Sequence, residues 1–345
     1  MSIITIIGSG MMGSALAFPA RENGHTVRLT GTHLDREIID ASRRTGRHPK
    51  FTKDFPAGLE YYQFEDIEKA IAGADMVICG VSSFGVDWFA ETVLPLIPEN
   101  MPILSVTKGL IEVGEGRLVS YPEYWARKIA PQKRCLNAVG GACTSYELVA
   151  QDPTVVTFCG EDLGVLGKLK KLMQTSYYHI EVSTDIMGVE SAVALKNAFA
   201  VGVTVAIGAN EKANGIDSKP HYNSQAAVFG QATKEMQKLL FLLAGNDRAL
   251  SVGIGDLYVT VFSGRTRLIG TLLGRGLDVD AAHAQLVGIT LESTVIIERI
   301  ARALRELEKR GRVDMGDYPL AKHLGEIFLD KKQAGIPWES FVNAP

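Results

Sequence analysis

Cysteine is scarce, and its spacing excludes more than its number. Cys79, Cys135, Cys143 and Cys159 are the four in the chain, and no pair is set as CxxC or CxxH. Neither a zinc cluster nor a disulfide framework is therefore expected, and the default is reduced, mostly buried thiols. Charge of one sign is also lacking: 36 Lys and Arg stand against 39 Asp and Glu, a net of -3. Such a chain has no basic field with which to hold nucleic acid, so no nucleic-acid partner is expected. No Pro/Gly/Ser-rich or Gln/Asn-rich tract is present, and order is expected nearly throughout. One long apolar stretch, residues 192–209, carries Lys196 and Asn197 near one end and many small residues. It suits a buried helix in a water-soluble core, not a membrane span. The opening Met1-Ser2-Ile3-Ile4-Thr5-Ile6-Ile7 has no basic segment before its apolar residues and no small-residue cleavage site, which predicts a strand, not a signal peptide, and a cytoplasmic protein.

What the chain does have is length and alternation. Its 345 residues accommodate about two domains at roughly 150 residues each. Through the first half, short β-branched runs at 3–7, 26–29, 76–81, 103–107, 136–139, 155–158 and 179–182 alternate with helical segments near 11–22, 35–43, 64–72, 84–95, 117–128 and 162–174. That pattern belongs to parallel βαβ units in a doubly wound α/β sheet. The connection 44–63, with Arg44, Arg47, His48 and Lys50, reads as a basic, solvated loop. Beyond about residue 187 a 3.6-residue period takes over at 188–207, 224–244, 290–310 and 319–331, predicting an all-α second half. Gly245 and Gly311 are set to end helices and Pro319 to begin one. Loop 208–223 is long enough to be a lid or an interface loop. The expected domains are 1–188, binding a dinucleotide, and 189–345, helical and carrying the substrate and catalytic groups.

Directly after the first run comes Gly8-Ser9-Gly10-Met11-Met12-Gly13, leading into a helix. In that setting the first glycine makes the tight turn, the second lets backbone approach a pyrophosphate, and the third lets helix pack on strand, while the helix N-terminus attracts phosphate. NAD or NADP is the expected cofactor. The second strand ends without the acidic residue that would grip a ribose 2′-OH. Thr30, Thr32, His33 or Arg36 could face a 2′-phosphate or be ordinary turn residues, and Asp35 is expected to cap the next helix. The stretches Val81-Ser82-Ser83-Phe84 and Val106-Thr107-Lys108-Gly109 sit at strand ends, where ligands bind in such sheets, so Ser82, Phe84 and Lys108 are candidate lining residues. Lys196 lies within an apolar helix, where an unpaired ammonium is costly. It either snorkels to the surface or serves as a proton donor, a role for which buried lysines can be tuned to a pKa of about 7–8.

Several motifs in order then resemble those of the NAD(P)-dependent glycerol-3-phosphate dehydrogenase family, over nearly the whole chain. Thr107-Lys108-Gly109-Leu110 matches its TKGL segment and Ala194-Leu195-Lys196-Asn197 its ALKN. Gly253-Ile254-Gly255-Asp256-Leu257-Tyr258-Val259-Thr260 matches GxGDLxxT, and Ser263-Gly264-Arg265-Thr266-Arg267 lies over its Arg-Asn phosphate motif. Residues 141–148 resemble GPxxAxEV and 288–292 resemble GxxxEG. The resemblance implies reversible oxidation of sn-glycerol 3-phosphate to dihydroxyacetone phosphate, a step toward phospholipid backbones. Lys196 is implied as general acid/base, tuned by Asp256, and Lys108 as the group that polarises the carbonyl. Asn197 and Thr260 would hydrogen-bond substrate or orient the lysines, Arg265 and Thr266 would contact substrate, and Glu292 and Arg265 would approach the cofactor beside Gly8, Ser9, Gly10, Met11, Met12 and Gly13. A small phosphorylated substrate and a homodimer are the implied partners. Thr266 replaces the family's Asn, Ala142 and Cys143 its Pro and small polar residue, Ser293 a Gly, and Gln231-Ala232 an Arg-Gly pair. Another phosphorylated polyol or hydroxy acid is therefore an alternative substrate, and a non-catalytic dinucleotide sensor is an alternative of a different class. Cys143 is expected as a packed small residue, not a nucleophile.

Overall fold

A computed structural model describes residues 1–262 and 264–343, and the chain separates into two units. One comprises Met1–Lys108 with Tyr121–Glu190, the other Gly109–Ser120 with Ser191–Pro345. Against the expected division at 188/189, the boundary falls at 190/191 and residues 109–120 group with the helical unit.

The first unit is built on an eight-stranded sheet. Its strands are β1 (Ile3–Ile7), β2 (Thr26–Thr30), β3 (Leu59–Tyr62), β4 (Met76–Cys79), β5 (Pro102–Ser105), β8 (Cys135–Gly140), β9 (Thr154–Gly160) and β10 (Tyr178–Ser183); the short β6 (Leu110–Glu112) and β7 (Leu118–Ser120) form a separate pair. The order is β10-β9-β8-β5-β4-β1-β2-β3. Neighbours are parallel except β8 and β9, which are antiparallel, so the sheet is Rossmann-like for six strands and reversed for the last two. Ile4, Ile6, Leu16, Leu29, Ile78 and Phe158 are fully buried in its core, each stabilising the fold by about 1.5–3 kcal/mol relative to exposure.

Two expectations in this unit are corrected. The connection 44–63 is not simply solvated: Phe51 and Phe55 are buried, and their rings pack on Phe18 at 6.2 and 5.6 Å. It then supplies edge strand β3. The segment expected as a helix from 117 instead opens with β7, and the helix Tyr121–Ile129 follows.

In the second unit, the helices Tyr222–Ala244, Glu292–Lys309 and Pro319–Leu329 follow the expected period, and Leu250–Phe262, Arg265–Gly274 and Val279–Gln285 are added between them. Gly245 (φ 72) and Gly311 (φ 65) take the left-handed backbone that ends helices. The β6–β7 hairpin is held here by Arg299, whose Nη1 donates to Leu110 O at 2.6 Å. The helix Ile186–Asn214 is long and apolar enough to cross a membrane, yet 83% of its apolar window is buried inside the protein, as in a core helix. It runs well past residue 207, so the connection expected at 208–223 shrinks to 215–221. Asn210 clasps that connection through Ser218 Oγ (3.2 Å) and Lys219 O (3.1 Å), and it is no long lid.

Gln231, one of the departures from the family pattern, has a structural role. Its Nε2 donates to Glu235 Oε1 at 2.8 Å, and Glu235 also accepts from the backbone N–H groups of Leu320 (2.7 Å) and Ala321 (2.8 Å). This carboxyl therefore ties one helix to the start of another. Burial pushes its pKa up from 4.5 to about 7, against those hydrogen bonds. Between 4.5 and 7 the folded state then binds more protons than the unfolded one, so this contribution to stability is full below 4.5 and lost as pH rises through 7. Thermal unfolding followed from pH 5 to 7.5 should show stability falling with pH, and Glu235→Gln should flatten that slope while costing about 1–3 kcal/mol for the mispaired amide.

Candidate active site

In the first unit the glycine loop has the geometry its sequence implies. Gly8 has φ +103, a conformation that L side chains rarely adopt, and its N–H donates to Thr30 O at 2.9 Å. A Cβ on Gly13 would collide with the Gly8 carbonyl oxygen, whereas one on Gly10 would meet nothing within 4 Å. The helix Met11–Glu22 begins at Gly10 with no side-chain cap, so its first N–H groups are oriented to receive an anion. A dinucleotide pyrophosphate fits this loop. Gly80, not singled out from sequence, completes it: its N–H donates to Ile7 O at 2.7 Å, and a Cβ there would lie 2.8 Å from Gly8 O. The available signal was a glycine interrupting the run 76–81, which ends β4 at Cys79.

At the tip of β2 the expectation for Asp35 is overturned. It occupies the N-cap position of the helix Arg36–Thr45 but caps nothing. Its Oδ2 instead accepts from Ser9 N (3.3 Å), Thr32 N (2.9 Å) and Thr32 Oγ1 (2.8 Å). A carboxylate thus arrives beside the glycine loop from four residues past Gly31, and Thr32 is fixed as a turn residue. His33 is exposed with its ring 5.7 Å from Trp88, and Arg36 pairs with Glu65. His48 is buried beside the loop, which lowers its pKa. At the end of β4, Ser82 and Phe84 are exposed, Phe84 by 64%, and open to a ligand.

After β5, Thr107 Oγ1 donates to Val81 O at 2.7 Å and Lys108 Nζ to Gly141 O at 2.8 Å. Lys108, Gly141, Cys143 and Met12 line a cavity of about 20 Å³, room for about one water. Cys143 packs partly buried against the core.

In the second unit Lys196 does not snorkel. It is 8% exposed, and its Nζ lies 3.0 Å from Asp256 Oδ1 and donates to Thr260 Oγ1 at 2.8 Å. Thr260 Oγ1 donates in turn to Asp256 O at 2.7 Å, so the hydroxyl presents its lone pair to the lysine. ALKN and GDLxxT, 60 residues apart, converge here, because Asp256 and Thr260 lie one turn apart on the same face of Leu250–Phe262. The carboxylate offsets the cost of burying the ammonium. Asn197 and Thr266 are each 8% exposed. Arg265 and Glu292 are also brought together, Nη2 to Oε2 at 3.7 Å, with the arginine side chain half exposed. Arg265 opens the helix Arg265–Gly274, whose N-cap, Gly264, makes no side-chain hydrogen bond. Ser263, in the same motif, lies outside the described residues. Ser293, where the family has glycine, is buried.

A mostly parallel sheet with a glycine loop at its centre, followed by a helical unit holding a buried lysine–aspartate pair, defines the class of dinucleotide-dependent oxidoreductases. Two family models match the chain: the NAD-dependent glycerol-3-phosphate dehydrogenase N-terminus over residues 3–165 and its C-terminus over 185–336. The chain belongs to the NAD-dependent glycerol-3-phosphate dehydrogenase family. It is similar to the NADP(+)-dependent glycerol-3-phosphate dehydrogenase of Archaeoglobus fulgidus, at 33% identity over 82% of this chain and 83% of that protein. It is also similar to a glycerol-3-phosphate dehydrogenase [NAD(P)+] of Clostridium botulinum, at 26% identity over 96% and 94%. The solved glycerol-3-phosphate dehydrogenase of Coxiella burnetii shares the fold, with TM-score 0.80 and 23% identity over 99% of this chain and 98% of that one.

Proposed function

We propose that this protein interconverts sn-glycerol 3-phosphate and dihydroxyacetone phosphate, with Lys196 as the general acid/base at the C2 oxygen. The observation that carries the reading is the buried Lys196–Asp256–Thr260 arrangement. When bound, the nicotinamide dinucleotide supplies or accepts the hydride. Lys196 then gives its proton to the C2 oxygen as the ketone is reduced, and takes it back during alcohol oxidation. Asp256 stabilises the ammonium and Thr260 aims it. Lys108 polarises the carbonyl. Arg265, Thr266 and the N–H groups that open the helix Arg265–Gly274 bind the substrate phosphate, which Arg recognises as a planar fork. Asn197 contacts the substrate, and Glu292 lies with Arg265 at the cofactor.

On the cofactor side, Gly8 to Gly13 cradle the pyrophosphate, and Ser82, Phe84, Thr32 and His33 border the rest of the dinucleotide. In this reading residues 1–188 bind the dinucleotide and contribute Lys108, and residues 189–345 carry Lys196, Asp256 and the phosphate site. A cytoplasmic homodimer is part of the same proposal, the dimer supported by the exposed Tyr258–Phe262 ring pair at 4.8 Å. The second substrate reading is favoured by Thr266, a hydroxyl where the family carries an amide. A steady-state panel of phosphorylated ketones with NADH and with NADPH tests both: dihydroxyacetone phosphate should give the highest kcat/KM. A different phosphorylated ketone at the top would transfer the site to that substrate, and no turnover with any would reject the enzyme.

A further inference from the structure

Glu190 is a buried ionisable group of the sheet unit that the chemistry above does not use. It is 0% exposed, and neither carboxyl oxygen has a hydrogen-bond partner among the described residues. An ionised carboxylate in such a place costs several kcal/mol unless a cation reaches it. The cation whose charge reaches it is Lys108, which is anchored to Gly141 O. Cys159 on β9 is fully buried, and its thiol, donating to Ala138 O at 3.5 Å, is pushed well up by burial and by Glu190. Asp185, whose Oδ1 accepts from Gly188 N at 2.8 Å, also acts on that thiol. Cys143 lines the cavity beside Lys108.

We propose that Glu190 is a positioning residue for Lys108: by holding or releasing one proton, its carboxyl decides whether the lysine presents a full positive charge to the phosphorylated substrate or is neutralised from behind. The inference rests on the reading that Lys108 contacts substrate, and it adds a titratable partner to that contact. Burial raises the Glu190 carboxyl from 4.5 to about 8, with Lys108 pulling in the other direction. Below that pH the carboxyl is neutral, and Lys108 acts on the substrate anion undiminished. Above it the proton leaves to solvent, an ion pair forms beneath the site, and attraction for the anionic substrate falls. The signature is a change in KM, since the lysine donates its hydrogen bond to the carbonyl in either state while the net charge it offers the substrate anion changes.

The experiment measures KM and kcat for dihydroxyacetone phosphate from pH 7 to 9 in the wild type and in Glu190→Gln, which fixes the neutral form. In parallel, the infrared band of protonated carboxyl groups is followed over the same range. The wild type should show KM rising about tenfold between the two pH values, the size of one charge interaction worth about one pKa unit. Glu190→Gln should abolish most of that rise, leave the pH dependence of kcat unchanged, and lack the carboxyl band that disappears near pH 8. If Glu190→Gln folds poorly, Glu190→Asp keeps the carboxyl and must keep the alkaline rise; a flat profile in it overturns the proposal. A Glu190→Gln profile and band that track the wild type overturn it as well, while leaving the dehydrogenase reading intact. A wild type that reduces no phosphorylated ketone overturns the parent reading, and the band still reports whether Glu190 titrates.

Discussion

Replacing Lys196 with alanine lowers kcat for dihydroxyacetone phosphate reduction by about 10³–10⁴-fold, the upper range for loss of a positioned general acid, while the affinity for reduced dinucleotide changes little. The argument is local. Lys196 is held by Asp256 and Thr260, all three on helices of the second unit, whereas the glycine loop belongs to the first. The substitution also removes the ammonium that offsets the charge of Asp256, 3% exposed, a loss of about 3–5 kcal/mol in stability. Lost activity alone would therefore be ambiguous. Adding Asp256→Asn to Lys196→Ala removes that charge and should restore the melting temperature without restoring turnover. Recovery of both in the double variant would show that Lys196 had been needed only for folding.

The glycine loop gives the second large effect, as a contrast between two neighbours. A Cβ at position 13 runs into the Gly8 carbonyl oxygen and comes within 3.4 Å of Gly80 Cα. These are backbone atoms that cannot swing aside, so Gly13→Ala must shift the turn and costs about 1–3 kcal/mol of stability, with cofactor affinity falling along with it. At position 10 the same methyl group meets no protein atom within 4 Å and projects where a pyrophosphate would pass. Gly10→Ala should melt like the wild type and yet bind NADH or NADPH about tenfold or more weakly. Calorimetric melting beside cofactor titration separates the two. Equal binding by Gly10→Ala and the wild type would remove the pyrophosphate from this loop.

Much of this was legible in the chain because the chemistry imposes patterns on short spans. A glycine loop must follow a strand and open a helix, so Gly8, Gly10 and Gly13 could be read directly. The resemblance carried by ALKN and GDLxxT, not spacing itself, implied that Asp256 tunes Lys196 across 60 residues. What escaped is what no local pattern encodes. Asp35 reaches the loop from the N-cap position of a helix, where its identity alone argues for capping. Strand β3 is four residues at a sheet edge behind a basic connection, and β6 and β7 are three residues each, too short for a period to register. Their markers are Gly109, Gly114 and Gly116, all at positive φ. The helix Leu250–Phe262 was obscured by Gly253 and Gly255, residues that disfavour helix in isolation; Gly253 is tolerated because it packs against Ala192. The reversal of β9 and β10 depends on how the chain turns after β8, which composition does not reveal.

The central claim is that a buried ammonium protonates the ketone as the nicotinamide reduces it. Its most direct test is a single turnover: enzyme preloaded with reduced dinucleotide is mixed with dihydroxyacetone phosphate, and nicotinamide absorbance is followed in the wild type and in the Lys196→Ala, Asp256→Asn double variant. The wild type should consume one equivalent of reduced cofactor in a fast phase, and the variant should bind both ligands and hold the cofactor reduced. A variant that oxidises its cofactor at the wild-type rate would contradict the assignment of the proton to Lys196.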